Sequence, residues 1–265
     1  MKTLIIAIIA IGVACSSQGQ NNDSLTMVAY DAADQRCYDN GWRYGTGKEI
    51  SYGGWSFFTE LPSGDSYGGV YLASPRENEI LKTFSQRRAF GLFSSGGGME
   101  KVVAHRNFQG KLWPGDVFSF CMLPEKLGGG SADVEGRIGV AFSTKETMNG
   151  VDDYNSGAVL EFGLSKDSKN YLISDGEGTL DTGVEALGHP VSVSFELLEN
   201  GLYRCQIAML GGRIDDVIKV FDMPERKLRD STDCGKIRSV VFFHRDGGLN
   251  DLFFDDIVLD RRVHE

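Results

Sequence analysis

From Trp55 onward one pattern recurs along the chain: apolar side chains at every second position, in short runs closed off by turn-forming residues. Val191-Ser192-Val193-Ser194-Phe195-Glu196-Leu197 shows it most cleanly, with Val, Val, Phe and Leu on one side and Ser, Ser and Glu on the other. Successive strand side chains point to opposite faces, so such a run places one face in an apolar layer and the other toward water. Ile138–Phe142, Leu160–Leu164 and Tyr203–Met209 repeat the pattern. Further strand-like runs fall at Trp55–Thr59, Gly69–Ala73, Phe90–Ser94, Val102–Arg106, Val117–Leu123, Ile214–Phe221, Ile237–Phe243 and Leu252–Leu259. Turn clusters such as Asn200-Gly201, Gly211-Gly212 and Asp246-Gly247-Gly248 separate them. Parallel strands need a crossover between them, usually a helix, and none is visible here. The pattern therefore predicts an all-β, antiparallel two-sheet β-sandwich. Thirty-four glycines in 265 residues suit the many turns this requires. One short helix is expected near 75–85, where Ser74-Pro75-Arg76-Glu77 has the form of a capping box and Ile80, Leu81 and Phe84 make a brief apolar stripe.

The N-terminus obeys different rules. Leu4 to Ala14 is an unbroken apolar run after Met1-Lys2. As a helix it spans about 16 Å, roughly half of a ~30 Å hydrocarbon core, which fits a secretory signal better than a membrane anchor. Gly12 and Ala14 occupy the −3 and −1 positions of a cut before Cys15, a placement that resembles the lipobox of bacterial lipoproteins. Gly12 departs from that family, which prefers a branched residue there. The resemblance implies acylation of Cys15 and a membrane attachment through lipid. An ordinary signal peptidase cut at the same bond is the alternative. The polar stretch that follows has little to bury and reads as a tether. The expected organisation is a signal peptide at 1–14, a tether at 15–25 and one sandwich domain at 26–265, in an extracytoplasmic bacterial envelope.

Composition then excludes some functions. Twenty-seven Lys and Arg face 37 Asp and Glu, a net charge of −10. Nucleic acid is not an expected partner, because phosphate-backbone binding depends on clustered basic residues. Cys37, Cys121, Cys205 and Cys234 form an even set with three possible disulfide pairings, although Cys121 and Cys205 lie in apolar strand patterns where free thiols are common. No CxxC or Cys/His cluster suggests zinc.

The segments Tyr38-Asp39-Asn40-Gly41-Trp42, Phe90-Gly91-Leu92-Phe93, Asn170 to Gly176, Asp181-Thr182-Gly183 and Asn250 to Ile257 appear in a familiar order. Together they resemble a β-sandwich module of secreted proteins from environmental bacteria, with the look of concanavalin-like or jelly-roll carbohydrate-binding modules. The resemblance implies a secreted sandwich and brings no established activity. Jelly-roll modules of this kind often end in an Asp-Asp-hydrophobic strand that contributes to a structural Ca2+ site. Asp255 and Asp256 hold that position, and Asp39 or Asn40 is the candidate loop partner. The competing account for either aspartate is a bond to neighbouring backbone at a sheet end, or a pairing with Arg261 or Arg262. Asp175 to Asp181 lacks the ligands of a calcium loop and is read as a solvated hairpin.

Sugars offer C–H patches to flat aromatic faces and hydroxyls to polar side chains. Trp42, Tyr44, Trp55, Tyr67 and Tyr71 are the candidates for glycan contact, along with Tyr52. Tyr67 and Tyr71 share a strand face across Gly69, which makes either a shallow platform or aromatic cover over a glycine. No catalytic residues are identified: the Glu-x-Asp-x-x-Glu run of laminarinase-like hydrolases, HExxH and GxSxG are all absent. The functional expectation is a non-catalytic, cell-surface glycan-binding lipoprotein. A hydrolase or lyase on the same scaffold and a purely structural or adhesive envelope protein are the alternatives.

Overall fold

The computed structural model describes residues 24–48, 52–62, 64–77, 79–84, 88–96, 100–125, 136–153, 155–186, 189–211, 216–245 and 250–263. The apolar segment, Cys15 and most of the stretch read as a tether lie outside the described residues, as does Ile214. Among the described residues no helix is long and apolar enough to cross a membrane.

Among the described residues sixteen strands form two sheets. Sheet 1 contains β1 (Ser24–Asp31), β3 (Tyr67–Ala73), β4 (Ala89–Ser95), β6 (Val117–Pro124), β11 (Val191–Leu197), β12 (Leu202–Leu210), β13 (Val217–Asp222), β14 (Arg226–Lys227) and β16 (Asn250–Val263). Its order is β13-β12-β11-β6-β16-β4-β3, with β1 also on β16 and β14 on β12. Sheet 2 runs β10-β9-β8-β7-β15-β5-β2. Its members are β2 (Ser56–Glu60), β5 (Lys101–Asn107), β7 (Arg137–Ser143), β8 (Ala158–Ser165), β9 (Asn170–Asp175), β10 (Gly178–Glu185) and β15 (Ser239–Arg245). The described pairings are antiparallel, so the sandwich read from the alternation is the observed fold.

The alternation works as expected in β11, where Val191, Val193, Phe195 and Leu197 are buried and the residues between them are not. These side chains meet a largely aromatic interior. Phe242 of β15 and Phe254 of β16 stack in parallel across the two sheets, with ring centroids 3.8 Å apart. Phe90, Phe118, Phe120, Phe142, Phe162 and Phe195 extend the layer. Each fully buried phenylalanine is worth about 1.5–3 kcal/mol.

The central strands are also covered on their outer faces. Over sheet 1, Leu81 and Phe84 pack on Cys121, Leu123 and Phe253. The expected helix near 75–85 is here a turn at Ser74–Glu77 followed by a 3-10 helix at Glu79–Thr83. Three apolar residues are too few to offset the cost of nucleating an α-helix, whereas one tight turn suffices to deliver Leu81 and Phe84 to the sheet. Over sheet 2, Met148 and Val151 from the loop after β7 pack on Val103, Ala141, Val241 and Phe243.

One polar cluster crosses the interior. Asp31 of sheet 1 and Arg106 of sheet 2 form an ion pair in which both side chains are fully buried. Tyr38 donates its hydroxyl to Asp31 (2.7 Å to Oδ1), and Trp55 Nε1 donates to Oδ2 at 3.0 Å. Arg106 donates to the carbonyls of Gly53 (2.9 Å) and Gly47 (2.5 Å), and its guanidinium lies over the rings of Tyr52 and Trp55. Burial pulls the guanidinium down to about 9, so it remains charged at neutral pH. Gly47 has φ +82°, and a Cβ there would press on the Tyr38 hydroxyl and on Arg106. Only glycine meets both requirements.

Cys37, Cys121, Cys205 and Cys234 are free thiols. Burial raises Cys121 and Cys205 well above the usual thiol range, which makes them inert packing residues.

Candidate functional site

Six aromatic residues are candidates for ligand contact, and the fold separates them. Trp42 and Trp55 are 6% and 0% exposed and pack edge-to-face with each other amid Phe57, Phe90 and Phe254. They are core residues with no face for a sugar, because β2 and the preceding loop turn them inward between the sheets. Tyr52 is also buried, beneath Arg106. Tyr44 is 76% exposed on the Arg43–Thr46 turn, and Tyr67 is 62% exposed on β3.

Tyr67 and Tyr71 lie on the outer face of sheet 1, where the register explains their setting. Tyr71 is directly opposite Gly91, and Gly69 is opposite Phe93. A Cβ on Gly91 would strike the Tyr71 ring at 2.6 Å, so the tyrosine lies flat over the glycine. Phe93 covers Gly69 in the same way at 3.3 Å. The two rings meet edge-to-face at 5.8 Å. Tyr71 is thus aromatic cover over Gly91, and Tyr67 is exposed on the same strand face as this strip of rings. Gly91→Ala is expected to dislodge Tyr71 and cost about 1–3 kcal/mol by overpacking, read as a lower Tm.

Two carboxyl groups flank this strip. Asp251 of β16 is opposite Phe93, and Glu125 donates its backbone N–H to the Asp251 carbonyl at 2.9 Å. Tyr71 donates its hydroxyl to Asp251 Oδ2. Burial raises the Asp251 carboxyl above the ordinary range. Burial and then the Asp251 charge do the same for Glu125. Phe93, Tyr71, Asp251 and Glu125 are therefore neighbours on one outer face, with Tyr67 exposed on the same face of β3. Asp251 and Glu125 were not legible as site residues, since 180 positions separate Tyr71 from its aspartate partner.

A second feature is concave. On the outer face of sheet 2 a shallow, open depression is lined by Arg137, Glu161, Ser165, Leu172, Ser174 and Phe243. Gly163 of this lining is paired with Gly139, and a Cβ on either would lie 2.1 Å from a carbonyl oxygen of the facing strand. Glu161 is held by Arg229 at 3.0 Å and Arg137 at 3.5 Å.

The candidate metal residues are dispersed. Asp39 is exposed and pairs with Arg88 at 3.2 Å. Asp255 accepts the Ala33 N–H at 2.8 Å, and Asp256 accepts the Tyr30 hydroxyl at 2.8 Å. Asp256 has φ +48° and sits in a β-bulge between Asp255 and Val258. Here β16 exchanges one neighbour for another: up to Phe254 it pairs with β4, and from Ile257 it pairs with β1. Asp255 thus bonds neighbouring backbone where the strands change over, and Asp256 bonds a side chain of β1. Arg261 and Arg262 bind elsewhere, to Asp116 and Glu196. Among the described residues no three His, Cys, Asp or Glu side chains are grouped to hold a metal.

Two further polar clusters are structural. Asp175, expected in a solvated loop, is 6% exposed and takes a two-pronged bond from Arg226 at 2.6 and 2.7 Å, with the Tyr203 hydroxyl also donating to it. Ser94 and His244 meet at 2.7 Å inside the sandwich, both buried. Burial lowers His105 to about 4, so it is neutral at physiological pH.

A scan of protein-family models finds no match, and a search of curated proteins finds none. Solved structures do match. A carbohydrate esterase from the Shiga toxin-encoding bacteriophage phi24B aligns over 91% of this chain and 100% of its own, at 13% identity and a TM-score of 0.50. The cellulose-induced protein Cip1 aligns over 87% of this chain and 95% of its own, at 13% identity and a TM-score of 0.44. The catalytic domain of a glycoside hydrolase family 131 protein from Coprinopsis cinerea covers 86% and 89%, at 11% identity and a TM-score of 0.42. What this chain shares with the phage protein is its fold, here an antiparallel β-sandwich of two packed sheets.

Proposed function

We propose that the protein is an extracytoplasmic glycan-binding sandwich, tethered to a membrane through acylated Cys15, and that it binds without cleaving. The observation that carries the binding reading is the Tyr67–Phe93–Tyr71 strip beside Asp251 and Glu125. Ring faces offer a surface for the C–H side of a pyranose, and adjacent carboxylates accept hydrogen bonds from its rim hydroxyls. The strip is a shallow surface, which suits a chain laid along it rather than a reaction enclosed from water. The phage protein of the same fold is named a carbohydrate esterase, which is consistent with this ligand class without carrying the argument.

A glycan array with the purified protein tests the reading. Tyr67→Ala is expected to abolish or strongly weaken retention of the bound glycan while leaving Tm unchanged, because a ring this exposed adds little to stability. Retention equal to wild type would remove the strip from the account. The lipid anchor rests on the N-terminal sequence, and metabolic labelling with palmitate that disappears in Cys15→Ser checks it.

Cleavage is the second reading, favoured by the adjacency of Asp251 and Glu125 with both carboxyls raised. A raised carboxyl is what a general acid needs at neutral pH. Release of reducing ends by the wild type, lost in Asp251→Asn, would replace binding with hydrolysis.

A further inference from the structure

We propose that the corner of the sandwich where the chain enters β1 rests on the surface of a phospholipid bilayer, through Leu25, Met27 and Trp113. The proposal rests on acylation of Cys15 and is independent of what the ring strip binds.

Reach supplies the first observation. Cys15 precedes Ser24, the start of β1, by nine residues. Nine residues of fully extended chain span at most about 32 Å. An anchor at Cys15 therefore holds the start of β1 within that distance of the bilayer. So short a link gives the nearest face a high effective concentration at the lipid, and a weak affinity is then enough to keep it down.

The register supplies the second observation. Leu25 is opposite Arg262 of β16, and Met27 is opposite Asp260. Ile257 and Leu259 face the core, so by alternation Asp260 and Arg262 point outward, and Leu25 and Met27 share that outer face. Both apolar side chains are half-exposed. On the other flank of β16 lies β6, preceded by the Trp113–Asp116 turn. A Cβ on Gly115 of this turn would lie 3.3 Å from the Arg262 stem, so the turn abuts the same corner. The turn is tied back on itself: Asp116 N–H donates to the Trp113 carbonyl at 3.0 Å, and Trp113 N–H donates to Asp116 Oδ2 at 2.9 Å. It presents a half-exposed indole with the Lys111 ammonium 4.6 Å from the ring centroid. An indole at headgroup level, with a cationic head beside it still in water, is the arrangement that membrane interfaces favour.

The arginines of this corner are already engaged, Arg261 by Asp116 at 2.9 Å and Arg262 by Glu196 at 2.8 Å. Apolar area therefore carries the contact, which should need no anionic lipid and should resist salt. The arrangement also orients the molecule. Asp251, beside the ring strip, and Arg262 lie eleven residues apart on β16, about 35 Å at 3.3 Å per residue. With the Arg262 end on lipid, the strip is held away from the bilayer.

Tryptophan emission tests this directly. The chain has three tryptophans, and Trp42 and Trp55 are buried in the core, so a quencher confined to lipid reports on Trp113. The acylated protein is placed in phosphatidylcholine vesicles with either ordinary or brominated acyl chains. Its Trp113 emission, taken as the difference from Trp113→Phe, is expected to fall roughly twofold in the brominated vesicles, at low and high salt alike, as for a side chain about 5–10 Å into the interface. Leu25→Asp is expected to abolish that fall at unchanged Tm, because a half-exposed side chain adds little to stability. Met27→Asp provides the same test should Leu25→Asp fail to fold. Protein that floats with the vesicles yet emits equally in both lipids overturns the proposal and leaves the anchor standing; cross-linking of two copies through this corner would then assign it to self-association. Wild-type quenching in both β1 variants also overturns it. Protein that takes up no palmitate and does not float overturns the anchor and this proposal together.

Discussion

Arg106→Met is expected to destabilise the protein by about 3–5 kcal/mol, because Asp31 would remain buried without its counter-charge. For a domain of this size that corresponds to a fall in Tm of roughly 6–20 °C, at about 2–4 °C per kcal/mol. The prediction has a second arm that separates charge from packing. Adding Asp31→Asn to Arg106→Met removes the stranded charge while keeping an oxygen to accept from Tyr38 and Trp55. The double variant is expected to recover most of the lost stability in a thermal melt. If the double variant melts as low as the single one, packing of Arg106 between Tyr52 and Trp55 is what matters, and the ion pair is incidental.

Asp255→Asn is expected to act in the opposite direction. Asp255 is 5% exposed, and burial together with the charge of Asp256 raises its carboxyl well above the ordinary range. The folded state therefore binds its proton more tightly than the unfolded chain does. Stability contributed by that proton is complete at low pH and is lost as pH climbs from the ordinary carboxylate range through the folded-state value. Asparagine keeps the acceptor for the Ala33 N–H and carries no charge. The variant should gain on the order of 1–3 kcal/mol at neutral pH, the range for relieving a poorly satisfied buried polar group. The gap between variant and wild type should widen as pH rises above the ordinary carboxylate range. Melting curves across that range decide the matter, and a variant less stable than wild type at every pH would mean that Asp255 is held as a favourable anion.

These two residues also show how far the fold was legible in the sequence. β11 could be read directly, since a strand with one wet face must alternate. β9 and β10 escaped notice because Asn170 to Glu185 is mostly polar, and these strands lie at the margin of sheet 2 where little needs burying. β1 begins at Ser24, inside the stretch read as tether, because a strand that pairs only with β16 tolerates a polar start. In β16 the alternation is interrupted: Leu252 and Phe254 face the core, and after the bulge so do Ile257 and Leu259. Strict alternation would have put these pairs on opposite faces, and no composition rule announces a bulge at Asp256.

The candidate sites were less legible for a related reason. Tyr67 and Tyr71 stood out because they are close in sequence and aromatic. Their carboxylate partners come from other strands, so only the register assembles the surface. The sheet 2 depression gave no signal, because a glycine, two serines and an arginine on separate strands look like ordinary strand ends. Trp42 and Trp55 misled in the opposite way, since large aromatic rings serve a core as readily as a ligand.

The position of β16 bears on synthesis as well as stability. This strand lies in the middle of sheet 1, with β6 on one side and β4 followed by β1 on the other. A nascent polypeptide still lacking residues 250–263 on the ribosome would hold that sheet as two unjoined fragments and an unpaired β1. Assembly must then wait for the last described segment to emerge and insert between partners made long before it. Contacts so distant along the chain make for slow acquisition of the native state. Deleting this segment would leave β4 and β6 with raw edges open to intermolecular pairing, and the truncated product should accumulate as aggregate.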